Sequence, residues 1–468
     1  MKSKLMSNTR PNVVVFFTDQ QRFDTTGAHG SPLGLTPNFD RLAKEGTHVV
    51  NSFTCQPVCG PARSCLQTGM HATNTNVWRN GSPMNLDLPT IANHFNDAGY
   101  HTAYYGKWHL SPLHMGPVPE EYRGGYQSWL ASNTLEFTSD AFETHLWDEN
   151  NQEHVFPGYR VDALTDAAIR HIDQRSKADN PFFLFVSYIE PHHQNHRDDY
   201  PAPTGYEENY TSAPRPPDLQ ALVGSSPQHW PGYCGMIKRL DEALGRLIDS
   251  LRSVGELDNT IILFTSDHGN HFKTRNEEYK RSCHDASIRT PTAISGPGFN
   301  GGGALNQLVS LIDMPATLLN AAGIDVPDEM EGRSILPLVQ KTSTEWRDDM
   351  FVQISEAQTG RAIRTHRWKY SVRSLETGED GQPILASCAD SYTEDCLYDL
   401  LADPWELTNL IGGAAYKEVT ADLRQRLLKR MVEAGEKEPQ IIEAPHTDIL
   451  GQRAAELFPI PPEKTKLP

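Results

Sequence analysis

The sequence predicts an α/β fold in which a large sheet lies between helices, followed by a smaller C-terminal antiparallel sheet with one helix packed on it. Three observations carry this. Continuous apolar, β-branched runs such as residues 12–18 read as strands buried on both faces of a sheet. Helical stretches alternate with them. Each run also stops abruptly at polar residues, the sheet edge where open α/β folds bind ligands. At 468 residues the chain is too long for one ordinary core. Its composition changes near residues 341–347, dividing it into a large domain at 1–345 and a C-terminal subdomain with an extended tail at 346–468.

The first strand, residues 11–18, ends in Asp19, Gln20, Gln21 and Arg22. Residues 36–46 read as a short helix with Thr36 capping, Pro37 first and Gly46 ending it. A strand at 47–53 leads into a helical segment at 61–67, where Pro61 suits the first turn. Cys59 then stands at that helix's N-terminus, where a reactive group and an anion are both favoured. A helix at 88–97 stops at Gly99, and a strand at 101–105 ends in Gly106, Lys107, Trp108 and His109. Residues 110–158 are polar and irregular and are expected to be loops.

A helix at 161–173 and a strand at 181–188 follow, the strand ending in Glu190, Pro191, His192 and His193. The Pro- and Tyr-rich stretch 194–231 reads as a long functional lid. The clearest helix is 235–252, with Met236, Leu240, Ala243, Leu244, Leu247 and Leu251 on one face. The strand at 260–265 delivers Ser266, Asp267, His268 and Gly269. Beyond the composition change, short strands are expected at 351–355, 362–365 and 368–372, a helix at 415–433, and a wrapping tail from 436 to 468.

A formal net charge of −18 disfavours nucleic acid and anionic membranes as partners, while leaving room for a small anion wherever cations converge. No run approaches the roughly 18 apolar residues of a membrane span. The first ten residues are basic but lack an apolar core, so the sequence as it stands reads as cytoplasmic, or as periplasmic or secreted if a leader has been removed. The seven cysteines (Cys55, Cys59, Cys65, Cys234, Cys283, Cys388 and Cys396) form no disulfide framework. The spacing of Cys55, Cys59 and Cys65 lacks the paired pattern of structural zinc. Cys388 and Cys396 could pair across a loop.

Collected from the strand ends, Asp19, Gln20, Asp267 and His268, with Cys59, form an oxygen-rich donor set suited to Ca²⁺, Mg²⁺ or Mn²⁺. Either aspartate alone would more simply cap the following segment; two such ends favour a metal. A second set is cationic: Arg63, Lys107, His109, His192 and Lys280. It suits acid–base work on an anionic ester. His271 and His284, which flank Lys280, are candidates for lining the substrate pocket.

Cys59-Gly60-Pro61-Ala62-Arg63 through Thr68-Gly69 resembles the signature of the formylglycine-dependent type I sulfatases. Segments containing Asp19, Thr36-Pro37-Asn38, Gly106 to His109, Pro191-His192, Thr265 to Gly269, Ser287 to Pro291, Trp368 to Tyr370 and Leu397 to Leu400 resemble family segments in the same order. The resemblance implies an alkaline-phosphatase-like fold with a large mixed sheet between helices. It implies one divalent cation, usually Ca²⁺, held by Asp19, Gln20, position 59, Asp267 and His268. It also implies that a formylglycine-generating enzyme oxidises Cys59 to Cα-formylglycine, whose hydrate attacks sulfur through one hydroxyl. Arg63 would steady the formylglycine oxygens, and Lys107 and Lys280 would hold sulfate oxygens. His192 would protonate the leaving alcohol, and His109 would take a proton from the second hydroxyl.

Two positions depart from the common pattern: Asp19-Gln20 stands where many members have Asp-Asp, and Asp267-His268 where many have Asp-Asn. One carboxylate is lost, and imidazole suits Mn²⁺. These pairs also resemble phosphonate monoester hydrolases and phosphodiesterases of the same superfamily, an alternative reading. Gly269 to Phe272 and Tyr279 to Asp285 resemble bacterial sulfatases acting on sulfated polysaccharides. That favours a sulfated carbohydrate substrate and makes Trp78, Asn80, His271 and His284 candidate sugar contacts. An alternative of another class, a non-catalytic sulfoglycan-binding protein, is opposed by the intact Cys59, Arg63, Lys107, His109, His192 and Lys280.

Overall fold

The computed structural model describes residues 10–446. Ten strands form the main sheet: β1 Asn12–Thr18, β2 Thr47–Phe53, β3 His101–Lys107, β4 Ser128–Ser132, β5 Glu143–Asp148, β6 Glu153–Pro157, β7 Phe182–Ser187, β8 Thr260–Ser266, β9 Ala293–Ser295 and β10 Gly303–Ser310. Their order is β10-β2-β9-β8-β1-β7-β3-β4-β5-β6. The centre is parallel: β1 pairs with β7 and β8, and β3 with β7 and β4. Strands β9, β5 and β6 run antiparallel to their neighbours, so the sheet is mixed. Every residue of β1, β7 and β8 is buried, which is why those sequences are apolar without alternation. Val13, Val15 and Phe17 pack on one face with Phe95, Tyr104 and Leu311; Val14 and Phe16 pack on the other with Leu164, Leu240 and Leu244.

Several sequence expectations are corrected. Residues 110–158 hold three strands, β4 to β6. The β5–β6 hairpin forms the sheet's edge, and β6 alternates exposed and half-buried residues, so its charges conceal the strand pattern. The clearest helix spans Ser226–Ser253, starting well before residue 235, with Pro231 inside it. Proline argues against a helix interior, but burial of Trp230 and Tyr233 on either side carries the helix through. The stretch 194–231 is not an open lid: Tyr200, Leu219 and Trp230 pack with Leu35, Tyr233 and Phe272 in an apolar cluster. Thr36 occupies the N-cap position without a capping bond. The N–H groups of Asn38 and Phe39 donate instead to the Asp241 carboxylate on the long helix, at 3.0 and 2.8 Å.

The second sheet has strands β11 Asp349–Ile354, β12 Gly360–Thr365, β13 Trp368–Arg373, β14 Ser391–Asp399 and β15 Gln440–Ile442. The first four are antiparallel; β15 joins β14 in parallel, so this part of the tail adds a strand. The rest of the expected wrapping tail, residues 447–468, lies outside the described residues. Helix Lys417–Glu433 packs Leu423, Leu427 and Met431 on Ile363, Tyr370 and Leu397. All seven cysteines are free; Cys388 is exposed, and Cys396 Sγ lies 3.5 Å from Cys283 Sγ, so the 388–396 pairing does not form. Among the described residues no helix is long and apolar enough to cross a membrane.

Buried ion pairs tie the second sheet to the loop between β8 and β9. Arg364 Nη2 donates to Asp285 Oδ2 at 3.0 Å, and Lys369 contacts both Asp285 and Glu406. Burial would push the Asp285 carboxyl up, but Arg364 and Lys369 hold it well below the usual carboxylate range. A depressed folded value gives stability that is complete above the unfolded value of about 3.9 and fades as pH falls below it. Asp285→Asn should cost about 3–5 kcal/mol at neutral pH, because two buried cations lose a partner. The gap between variant and wild type in chemical denaturation should shrink at about pH 3; an equal gap at both pH values would contradict this reading.

Candidate active site

The site is built where β1, β3, β7 and β8 end together. Helix Cys59–Thr68 enters with every residue buried, Cys59 first and Gly69 closing it at φ 71°. No side chain caps this helix from Val58; the Gly60 N–H donates instead to Asn80 Oδ1 at 2.9 Å. Cys59 Sγ accepts from Lys280 Nζ at 2.8 Å and lies 3.3 Å from His268 Nε2 and 3.6 Å from Asp19 Oδ1. Burial alone would push the thiol up, but Lys107, Lys280 and His268 hold it well below the usual thiol range.

Asp19 Oδ2 accepts from Lys107 Nζ at 2.8 Å and from Arg63 Nη2 at 2.9 Å. Burial opposes its charge, but Lys107, His192 and Arg63 keep the carboxyl well below its ordinary range. Asp267 Oδ1 accepts the N–H groups of Gln20 and His268, at 3.0 and 2.8 Å. Burial and the neighbouring Asp19 charge push Asp267 up to about 7. Gln20 is left-handed at φ 65°, a strained conformation for a non-glycine residue. It is held by that bond to Asp267 and by Tyr233 Oη, which donates to its carbonyl at 2.7 Å.

The donor atoms of Asp19, Cys59, Asp267 and His268 all lie within 4.8 Å of one another. Three further observations fit a divalent cation. The Asp19 and Asp267 carboxylates are buried together, and burial with the Asp19 charge pushes Asp267 up. Gln20 Oε1 is buried with no hydrogen-bond partner. His268 Nδ1 faces the Gly269 carbonyl at 2.9 Å; because a carbonyl only accepts, Nδ1 carries a proton, and Nε2 is the nitrogen turned toward the cluster.

The cations surround this cluster. Lys107 Nζ is fully buried between Asp19 and Glu136, 2.9 Å from Glu136 Oε1. His109, left-handed at φ 66°, brings its Nδ1 to 3.9 Å from the same oxygen. His192 Nε2 is 3.2 Å from Lys280 Nζ, and its Nδ1 donates to the His193 carbonyl at 2.6 Å. Burial and Lys280 lower the His192 pKa. Arg63 bonds Asp19, the Lys107 carbonyl and Ser187 Oγ, and is 3.5 Å from Asp267 Oδ2.

The structure thus brings Asp19, Gln20, Cys59, Arg63, Lys107, His109, His192, Asp267, His268 and Lys280 together. Three expected sugar contacts have hydrogen-bond partners within the protein. Asn80 Oδ1 is occupied by the Gly60 N–H. His271 has no exposed surface, and its Nε2 donates to the Lys280 carbonyl at 2.9 Å, so it fixes the Lys280 segment. Burial takes its pKa down to about 3, which keeps it neutral. His284 is half-buried between Ser282 Oγ and Tyr398 Oη, at 3.2 and 3.1 Å, and faces the C-terminal sheet. Trp78 remains half-buried beside a cavity.

Glu136 escaped the sequence reading because it lies in a region read as loop, and no local signal marks it. It is 3% exposed, and Lys107, His109 and His192 lower its pKa against burial. Glu136→Gln should lower kcat/KM by about 10–100-fold, the usual cost of removing a group that orients a catalytic one. A change under twofold in steady-state kinetics would remove Glu136 from the site.

A buried cysteine at a helix N-terminus, a carboxylate cluster whose donor atoms could hold a cation and converging lysines and histidines, set at the edge of a mixed sheet, fit a hydrolase of anionic esters. The chain belongs to the sulfatase family and is a sulfuric ester hydrolase: the family model described as Sulfatase matches residues 11–324. A model described as N-sulphoglucosamine sulphohydrolase, C-terminal, matches residues 278–433. The ulvan-active sulfatase of Formosa agariphila is 29% identical, over 92% of this chain and 82% of that one. The N-acetylglucosamine-6-O-sulfatase of Bacteroides thetaiotaomicron is 26% identical, over 92% and 88%. A solved structure in complex with its substrate, D-glucosamine-2-N,6-O-disulfate, shares the fold at a TM-score of 0.77 and 24% identity, over 92% and 99%.

Proposed function

We propose that this sulfatase removes sulfate from a sulfated carbohydrate, using Cα-formylglycine at position 59 and a Ca²⁺ ion. The observation that carries the reading is Cys59 Sγ, seated among Lys280, His268 and Asp19 within 3.6 Å. The sulfur marks where the oxygens of a converted residue would lie. Formylglycine, made by a formylglycine-generating enzyme, supplies as its hydrate a nucleophilic hydroxyl and a second hydroxyl through which sulfate can be expelled. Asp19, Gln20, Asp267 and His268 would hold the cation, which neutralises sulfate charge.

The remaining steps belong to side chains. Lys280 Nζ, beside both Cys59 Sγ and His192 Nε2, would hold a sulfate oxygen. An anion lying against Lys280 offsets the charge that depresses His192. With Nδ1 committed to the His193 carbonyl, Nε2 is the atom that would protonate the leaving sugar oxygen. His109 would accept the proton that frees sulfate, and Glu136 would stabilise the resulting imidazolium. Lys107 and Arg63 keep Asp19 ionised. Residues 1–345 are taken as the catalytic unit and 346–468 as the subdomain that supports the Lys280 loop through Asp285.

Two measurements test this. Initial rates on 4-nitrophenyl sulfate, a phenylphosphonate monoester and sulfated oligosaccharides from ulvan, heparin, chondroitin sulfate and carrageenan should rank an oligosaccharide first. A phosphonate ester faster by orders of magnitude would overturn the assignment. Dialysis against a chelator should abolish turnover and lower the melting temperature, and Ca²⁺ should restore both. Restoration by Mn²⁺ and not by Ca²⁺ would reassign the metal.

A further inference from the structure

We propose that the cavity between Trp78 and Tyr122 is a second sugar subsite, which takes the saccharide next to the one being desulfated and selects a unit bearing a negative charge. This rests on the carbohydrate reading above. The cavity has a volume of about 430 Å³, within the range of small-molecule sites. Trp78 and Tyr122 supply aromatic walls, and Asn76, Ser82 and Asn85 supply hydrogen-bonding groups. That mixture suits the apolar faces and equatorial hydroxyls of a pyranose ring.

The charge preference comes from Arg79. Its guanidinium lies 5.1 Å over the Trp78 ring, which fixes it at the cavity wall. No carboxylate lines the cavity, and among the described residues Arg79 has no ion-pair partner. In a chain with 60 acidic and 42 basic residues, an exposed, unpaired arginine facing a polar cavity provides a local anion site. Guanidinium binds sulfate or carboxylate through paired hydrogen bonds.

The position follows from three bonds that tie the lining loop to the catalytic centre. Asn80 Oδ1 accepts the N–H of Gly60, next to Cys59. Gln56 Nε2 donates to the Trp78 carbonyl at 2.7 Å. The Met84 N–H donates to the carbonyl of Leu110, next to His109, at 2.9 Å. A chain entering the site would thus meet this cavity as its neighbouring unit.

The test compares kcat/KM for the best oligosaccharide of the panel with that for 4-nitrophenyl sulfate, which carries no second saccharide. Arg79→Ala should lower the oligosaccharide-to-aryl ratio about tenfold, mainly through KM, and raising salt should narrow the difference between variant and wild type. Tyr122→Ala should lower the same ratio. Thermal melts of both variants exclude unfolding as the cause. An unchanged ratio in both variants overturns the subsite while leaving the sulfatase reading intact. Wild type that turns over the aryl sulfate and no sulfated oligosaccharide overturns the carbohydrate reading, and the subsite with it.

Discussion

Cys59→Ala should lower turnover of every sulfate ester by at least ~10⁴-fold while the protein stays folded. The substitution deletes one sulfur at the first residue of a helix whose other contacts remain. The Gly60 N–H keeps its bond to Asn80, and the buried face through Ala62, Cys65 and Leu66 is untouched. Losing the small side chain costs little packing, and relative to the unconverted cysteine it removes a negative group from beside Asp19 and Asp267, both of which that group pushes up. Folding and catalysis therefore separate at this position. Rates on an aryl sulfate, with a thermal melt of the same sample, are the check. Residual turnover within tenfold of wild type would mean that another group is the nucleophile.

Asp19→Asn should damage both stability and function. Asp19 is completely buried and is the shared partner of Lys107 and Arg63, at 2.8 and 2.9 Å. Removing one member of a buried ionic cluster costs about 3–5 kcal/mol, because the opposite charges stay behind. Two effects pull the cost toward the low end. Lys107 keeps Glu136 at 2.9 Å, and Asp267, which burial and the Asp19 charge together push up to about 7, is freed from that like charge. The same change removes one of only two carboxylates from the cation cluster, so Ca²⁺ affinity should fall steeply. Wild type should gain melting temperature on adding Ca²⁺, and the variant should gain almost none. A variant with undiminished Ca²⁺ stabilisation would place the metal elsewhere.

The parts of the fold legible in the sequence were those set by local pattern. Strands β1, β7 and β8 are continuous apolar runs because both faces are covered, and each ends in the polar residues that build the site. The edge strands were hidden because β5 and β6 are half exposed and carry charges, which erases the apolar signal. Pro231 concealed the start of the long helix, since the burial that carries the helix past it is tertiary.

The candidate site divides in the same way. Asp19, Cys59, Lys107, His192, Asp267 and His268 each follow a strand end or a motif, so position in the chain revealed them. Glu136 does not: its place beside Lys107 and His109 arises only when the segment after β4 folds over the end of β3. Asn80 and His271, both expected as sugar contacts, also have partners within the fold. Both lie near the centre, but one satisfies a helix N–H and the other a backbone carbonyl, roles that residue type alone does not distinguish from a sugar contact.

The central claim is that the site around Cys59 works through a converted residue, and the mass of the tryptic peptide spanning residues 45–63 tests it most directly. From protein produced together with a formylglycine-generating enzyme and shown to be active, that peptide should have lost one sulfur and two hydrogens and gained one oxygen as the aldehyde, or have lost one sulfur and gained two oxygens as its hydrate. Fully active protein in which this peptide carries only unmodified cysteine would contradict the account.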